Sequence, residues 1–151
     1  MDRMSKEYRQ DDYRISTDKA RLDVAFVHEY LSQRAYWAIG RPLEMTQRAI
    51  ENSLCFGVYA GEAQVGFARV VTDYATFGWL CDVFIVESQR ERGLAKWLVE
   101  TVMAHPALAG LKQVILATRD AHELYRNYGG FRALEQPEKW MVRRNVAPVK
   151  E

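Results

Sequence analysis

Polar residues dominate the first twelve positions. From Tyr13 onward the apolar positions fall into blocks, some alternating as in strands and some spaced as in helices. Tyr13 to Thr17 predicts a short strand. Ser16, Thr17 and Asp18 offer N-cap oxygens for a helix through Leu22, Phe26, Val27, Tyr30 and Leu31. Gly40 and Pro42 mark a turn, and a second helix is expected through Met45, Ala49 and Ile50. Cys55 to Tyr59 and Val65 to Thr72 then read as two strands joined near Gly61, a hairpin. Phe77 to Val86 is almost continuously apolar, as suits a strand covered on both faces. Gly93 to Ala104 predicts a helix with Leu94, Trp97, Leu98 and Val102 on one side, stopped by Pro106. Val114 to Ala117 reads as a short buried strand, and Asp120 to Asn127 as a helix capped by Asp120. Phe131 to Leu134 and Trp140 to Arg143 are expected to be two last strands.

This order places a strand–helix–strand unit behind hairpin material. It predicts an α/β (α+β) fold: a central mixed sheet with helices on both faces. The chain has 151 residues, about one domain. The expected domain spans residues 13–145, with residues 1–12 a flexible N-terminal tail and 146–151 a C-terminal tail. Lysine and arginine number 21 against 20 acidic residues, a net charge of +1. That balance argues against nucleic acid as a partner. No run approaches the roughly 18 apolar residues of a membrane span, so no membrane partner is expected. Cys55 and Cys81 stand singly in apolar runs, as free thiols in a reducing compartment do, and no metal-ligand spacing occurs. A cytoplasmic location and the absence of a metal are therefore expected.

Chemistry concentrates where the apolar strand ends. Cys81-Asp82-Val83-Phe84-Ile85-Val86 runs into Glu87-Ser88-Gln89-Arg90-Glu91-Arg92-Gly93-Leu94-Ala95-Lys96. A turn with basic residues and a glycine opens directly into a helix, whose first N–H groups lack internal partners and attract anions. Gly93 admits a ligand close to the backbone, Ala95 keeps the next turn position small, and Arg90, Arg92 and Lys96 add positive charge. These features suit a pyrophosphate. The spacing is neither the dinucleotide GxGxxG nor the nucleotide-triphosphate GxxxxGK[ST] motif.

Arg90-x-x-Gly93-x-Ala95, between an apolar strand and an amphipathic helix, resembles the acyl-CoA signature of the GNAT superfamily of N-acyltransferases. Downstream, Ala121, Leu124-Tyr125 and Gly130-Phe131 are similar to its second signature. Two departures are present: Thr118 stands where the family often has an Asn, and Tyr128-Gly129-Gly130-Phe131 carries one residue more than the usual loop.

The resemblance implies an N-acetyltransferase that moves an acetyl group from acetyl-CoA to a primary amine of a small molecule, by direct attack in a ternary complex. It implies backbone pairing of the pantetheine with Phe84, Ile85 and Val86. It implies phosphate binding around Arg90, Glu91, Arg92, Gly93, Leu94, Ala95 and Lys96. It also implies that Tyr125 protonates the leaving thiolate. A phenol of pKa about 10 suits that role. Asp82, Asp73, Glu87, His28 and His122 are candidate bases, and Asp82 stands out as a carboxylate inside an apolar run. Tyr36 and Trp37, with Asp73 or Asp82, would form an acceptor wall suited to a cationic amine, and His122 lies beside Tyr125. The alternatives are a non-catalytic acyl-CoA-binding or regulatory module, an acetyltransferase acting on protein amines, and an interaction domain without cofactor. The family is compatible with a monomer or a homodimer.

Overall fold

Six strands form one sheet in chain order, β1 (Glu7–Gln10), β2 (Tyr13–Ser16), β3 (Leu54–Ala60), β4 (Ala63–Thr72), β5 (Phe77–Ile85) and β6 (Gln113–Ile115). The computed structural model describes residues 5–146. The first five strands are antiparallel neighbours, and β6 pairs parallel to β5. Among the described residues five α-helices connect and cover them: α1 (Val24–Arg34), α2 (Leu43–Glu51), α3 (Leu94–Met103), α4 (Pro106–Ala109) and α5 (His122–Gly129).

The alternation of side chains along the strands builds two cores, one on each face. Phe56, Val58, Ala68, Val70 and Ile85 pack with Leu94, Leu98, Val99 and Val102 of α3 and with Tyr125 of α5. Cys55, Phe67 and Phe84 face the other way and pack with Val27, Tyr30 and Leu31 of α1 and Ile50 of α2. Burying a side chain such as Phe67 or Leu98 contributes about 1.5–3 kcal/mol each. The mixed sheet with helices on both faces is the architecture the apolar pattern predicts.

Several boundaries differ from the sequence reading. Residues 7–10 were expected in a tail but pair with β2, Glu7 opposite Ser16 and Gln10 opposite Tyr13. An edge strand needs backbone partners rather than an apolar face, so its polar composition conceals it. The turn uses Asp11 in the left-handed region, φ 53°, which Asp tolerates better than most residues. Asp18 caps a single 3₁₀ turn, and Asp23 caps α1 by accepting from Phe26 N. Pro106 opens the short α4 as well as ending α3. Asp120 does not cap α5; Ala121 holds that position, and its N–H donates to Thr118 Oγ1 at 3.1 Å.

The two last expected strands do not form. Phe131 packs edge-on against Tyr125, residues 132–135 are exposed, and Pro137–Lys139 make a 3₁₀ turn. Trp140 to Arg143 is exposed and forms no strand. Strand propensity measures fit to a half-buried pleated surface, and this segment meets no such surface among the described residues.

Candidate active site

β5 parts from β6 soon after they meet. Their pairing covers Phe77–Trp79 against Gln113–Ile115, yet β5 continues to Ile85. Beyond Trp79 the β6-facing edge of β5 has no strand neighbour among the described residues. An irregularity in β5 accompanies the parting. Arg69 lies opposite Cys81 but Phe67 lies opposite Phe84, so β5 holds an extra residue there. Asp82 sits at this bulge with φ 52°.

Hydrogen-bonding direction alternates along a strand. Val86 N–H donates to Val65 O of β4 at 2.9 Å, and Val86 O accepts from Gln89 N–H at 3.0 Å. Ile85 therefore presents its backbone to the open edge, while Phe84 and the N–H of Val86 turn toward β4. Gly66 keeps β4 close: a Cβ there would lie 2.6 Å from Ile85 Cδ1 and 2.9 Å from Phe84 O.

The turn after β5 ends at Gly93, the N-cap of α3, with φ 77°. A Cβ at Gly93 would meet nothing within 4 Å, so the glycine serves the left-handed backbone and leaves open space in front of it. Glu91 is also left-handed, φ 64°. The first intrahelical bond of α3 is Trp97 N–H to Gly93 O, which leaves the N–H groups of Leu94, Ala95 and Lys96 without helical acceptors. These groups and the open β5 edge fit an acyl-CoA, with its pyrophosphate at the helix end and its arm along the strand.

The basic side chains of this turn do not all converge. Arg90 donates from Nε to Ile85 O at 3.1 Å and from Nη2 to Tyr30 Oη at 2.9 Å, which braces the turn. Arg92 contacts Tyr13 Oη at 3.4 Å, and Lys96 lies over the Tyr128 ring.

A cavity of about 800 Å³ opens where the strands part. Its wall includes Tyr36, Trp37, Arg41, Arg69, Cys81, Asp82, Thr118, Arg119 and Tyr125. Tyr125 is buried, and burial first, then Tyr36 and Cys81, pushes its hydroxyl up to about 12. It stays protonated across the physiological range. Burial likewise lifts the Cys81 thiol to about 11, a poor nucleophile at neutral pH.

Asp82 anchors the opposite wall. Oδ2 accepts from Arg41 Nη1 at 2.8 Å and Arg69 Nε at 2.9 Å. Oδ1 accepts from Trp37 Nε1 at 2.8 Å and Arg41 Nη2 at 3.3 Å. Burial pushes this carboxyl up, but hydrogen bonds and charge from Arg41 and Arg69 outweigh it and hold the group below the usual carboxylate range. A carboxylate so well satisfied is a weak proton acceptor.

The remaining candidates are dispersed. Asp73 caps its own turn, accepting from Ala75 N, Thr76 N and Thr76 Oγ1, and is not a wall residue of the cavity. Glu87 pairs with Arg34 and Arg90 and accepts from Tyr30 Oη. His28 Nε2 meets Arg41 O at 2.9 Å. His122 opens α5, outside the cavity wall. Tyr36 does line the cavity; its Oη accepts from Arg119 N–H at 3.1 Å, and the Arg119 guanidinium lies 4.0 Å over its ring. Sequence reasoning missed Arg41, Arg69, Arg119 and Arg144 as cavity residues. Arg69 carried a signal, a charge inside the apolar run Phe67-Ala68-Arg69-Val70-Val71.

A parted parallel strand pair, an anion-ready helix end and a buried phenol between them define an acyl-CoA-dependent transferase fold. The chain matches the acetyltransferase (GNAT) family over residues 21–131, and it belongs to that family. It is an acyltransferase, and its family uses acetyl-CoA. A Gibberella zeae protein named as an acetyltransferase is 32% identical, over 78% of each chain. The crystal structure of a GNAT-family acetyltransferase from Xanthomonas campestris pv. campestris is 48% identical, with TM-score 0.84, covering 87% of this chain and 92% of that one. Spermidine N-acetyltransferase from Vibrio cholerae, solved with CoA and spermine, shares the fold at 15% identity and TM-score 0.62, over 78% of this chain and 80% of that one. Among the described residues no helix is long and apolar enough to cross a membrane, and no group of side chains is arranged to hold a metal ion.

Proposed function

We propose that this chain acetylates the primary amine of a small molecule by direct attack on acetyl-CoA within a ternary complex. The observation that carries the reading is Tyr125, a buried phenol held protonated on the wall of the cavity where β5 leaves β6. The cavity volume of about 800 Å³ falls in the small-molecule range of roughly 300–1,000 Å³, which favours a small acceptor over a protein.

Acetyl-CoA supplies the activated thioester. The N–H groups of Leu94, Ala95 and Lys96 receive its pyrophosphate, and the Ile85 backbone pairs with its arm. The neutral amine nitrogen attacks the thioester carbonyl carbon and forms the C–N bond. A backbone N–H on the open edge of β5 stabilises the oxyanion. The C–S bond then breaks, and Tyr125 gives its proton to the departing sulfur. The proton lost by the amine passes through water and restores the phenol, so no side chain carries the acetyl group. With Asp82 tied to two arginines and Cys81 held as a thiol, water is the proton acceptor that the surroundings support. The two unpaired, half- or fully buried cysteines support a cytoplasmic location.

Release of free CoA thiol during incubation with acetyl-CoA and an amine panel tests the reading. Intersecting double-reciprocal plots are expected. Parallel plots, which indicate a covalent acetyl-enzyme, or CoA binding without turnover of any amine, would overturn it.

A further inference from the structure

The cluster of Asp82 with Arg41 and Arg69 carries a net positive charge. One carboxylate faces two guanidinium groups, and all three side chains are largely withdrawn from solvent, at 2% exposure for Asp82, 14% for Arg41 and 13% for Arg69. A guanidinium has five N–H donors. Arg41 directs two bonds to Asp82; Arg69 directs one to Asp82 and one, at 3.1 Å, to Ser53 Oγ. Donors therefore remain on both arginines without a partner among the described residues.

Excess buried charge is costly unless an opposite charge completes it. The phosphates of acetyl-CoA are poorly placed to do so. Four residue steps lead from Asp82 to Val86, on the order of 13 Å, and the turn before α3 lies beyond that. The acetyl group itself is neutral. Among the described residues Asp82 is the one carboxylate bonded to Arg41 and Arg69, and the acceptor can bring a second.

We infer that the acceptor bears an oxyanion, carboxylate or phosphoryl, beside its primary amine, and that Arg41 and Arg69 receive that anion. This deepens the proposed function and rests on it. The fork of Arg41 is spent on Asp82, and the donors left over are Nε of Arg41 and Nη2 of Arg69, charged N–H groups that an oxyanion accepts from. The wall is thereby opposite in sign to one built for a polyamine, and Trp37, whose N–H is given to Asp82, serves the cluster rather than a cationic substrate.

The test uses the full chain with acetyl-CoA affinity measured first by calorimetry. Thiol release is then compared for amino acids, their methyl esters and amides, 2-aminoethylphosphonate and spermidine. Independently of turnover, N-acetyl amino acids, N-acetyl-2-aminoethylphosphonate and N-acetyl amino acid amides are titrated onto the enzyme–CoA complex. At least one acid or phosphonate is expected to exceed its uncharged counterpart by tenfold or more in kcat/KM or affinity, and the better arm separates carboxylate from phosphoryl recognition. Arg41→Gln is expected to collapse that ratio toward one by raising KM for the anion, with acetyl-CoA affinity unchanged. If Arg41→Gln does not fold, Arg41→Lys, which keeps charge and loses the fork, is expected to lower the ratio at least threefold. Equal or better use of esters, amides or spermidine overturns the inference, as does failure of every anion to bind an enzyme that binds acetyl-CoA. Failure to bind acetyl-CoA overturns the proposed function, and this inference with it.

Discussion

The indole of Trp37 donates from Nε1 to Asp82 Oδ1 at 2.8 Å, across 45 residues of sequence. This bond ties the segment between α1 and α2 to the bulge in β5. Arg41, from the same segment, adds two more bonds to the same carboxylate. One wall of the cavity is thus hung on a single side chain of the sheet.

Asp82→Asn removes the charge but keeps the shape. The expected cost is about 3 kcal/mol at neutral pH, because two largely buried guanidinium groups lose their shared partner. The folded carboxyl lies below its unfolded value of about 3.9, so its contribution is present above that value and is lost as pH falls through the lower, folded value. Urea midpoints of the two proteins should differ most near pH 7 and converge below about pH 4. A constant gap down to pH 3 would show that the charge is not what stabilises the cluster.

Tyr125→Phe should lower kcat by about 10²–10⁴-fold with little change in acetyl-CoA affinity. With the phenol pushed up to about 12, its ionisation does not enter the kcat profile between pH 7 and 10. An unchanged kcat in the variant would assign protonation of the thiolate to water.

At Gly93 the obstacle to a side chain is conformation rather than space, since φ is 77° and a Cβ meets nothing. Gly93→Ala is expected to cost about 1–2 kcal/mol, while Gly93→Asn, which tolerates the left-handed region, costs less. Both place a Cβ in front of the phosphate site and should weaken acetyl-CoA binding measured calorimetrically. Equal stability of the Ala and Asn variants would contradict the conformational reading.

Cys81→Ala should retain direct transfer, because a thiol raised to about 11 is almost wholly protonated at neutral pH. Slow alkylation of Cys81 at pH 7 checks the same point by mass spectrometry. Loss of all turnover in the variant, with acetyl-CoA binding intact, would point to a covalent route.

The segment from Cys81 to Lys96 was legible because its chemistry is local: a strand, a turn, a left-handed glycine and a helix start follow one another in sequence. The near-continuous apolar run from Phe77 to Val86 likewise foretold a strand covered on both sides, with Phe84 facing one core and Ile85 the other. The arginine cluster was not legible, because Arg41, Arg69 and Asp82 come from three separate elements and meet only in the fold. The backbone direction at Phe84, Ile85 and Val86 was hidden for another reason. Which residue faces the open edge depends on phase, and a bulge shifts the phase without any mark in composition.

That bulge makes β5 read like a text with one inserted letter. Upstream of Asp82 the strand keeps step with β4 on one side and, as far as Trp79, with β6 on the other, and downstream it keeps step with β4 alone among the described strands. Excising the single residue would restore the beat with β4 and leave Phe84 opposite Phe67, each on the face it already occupies.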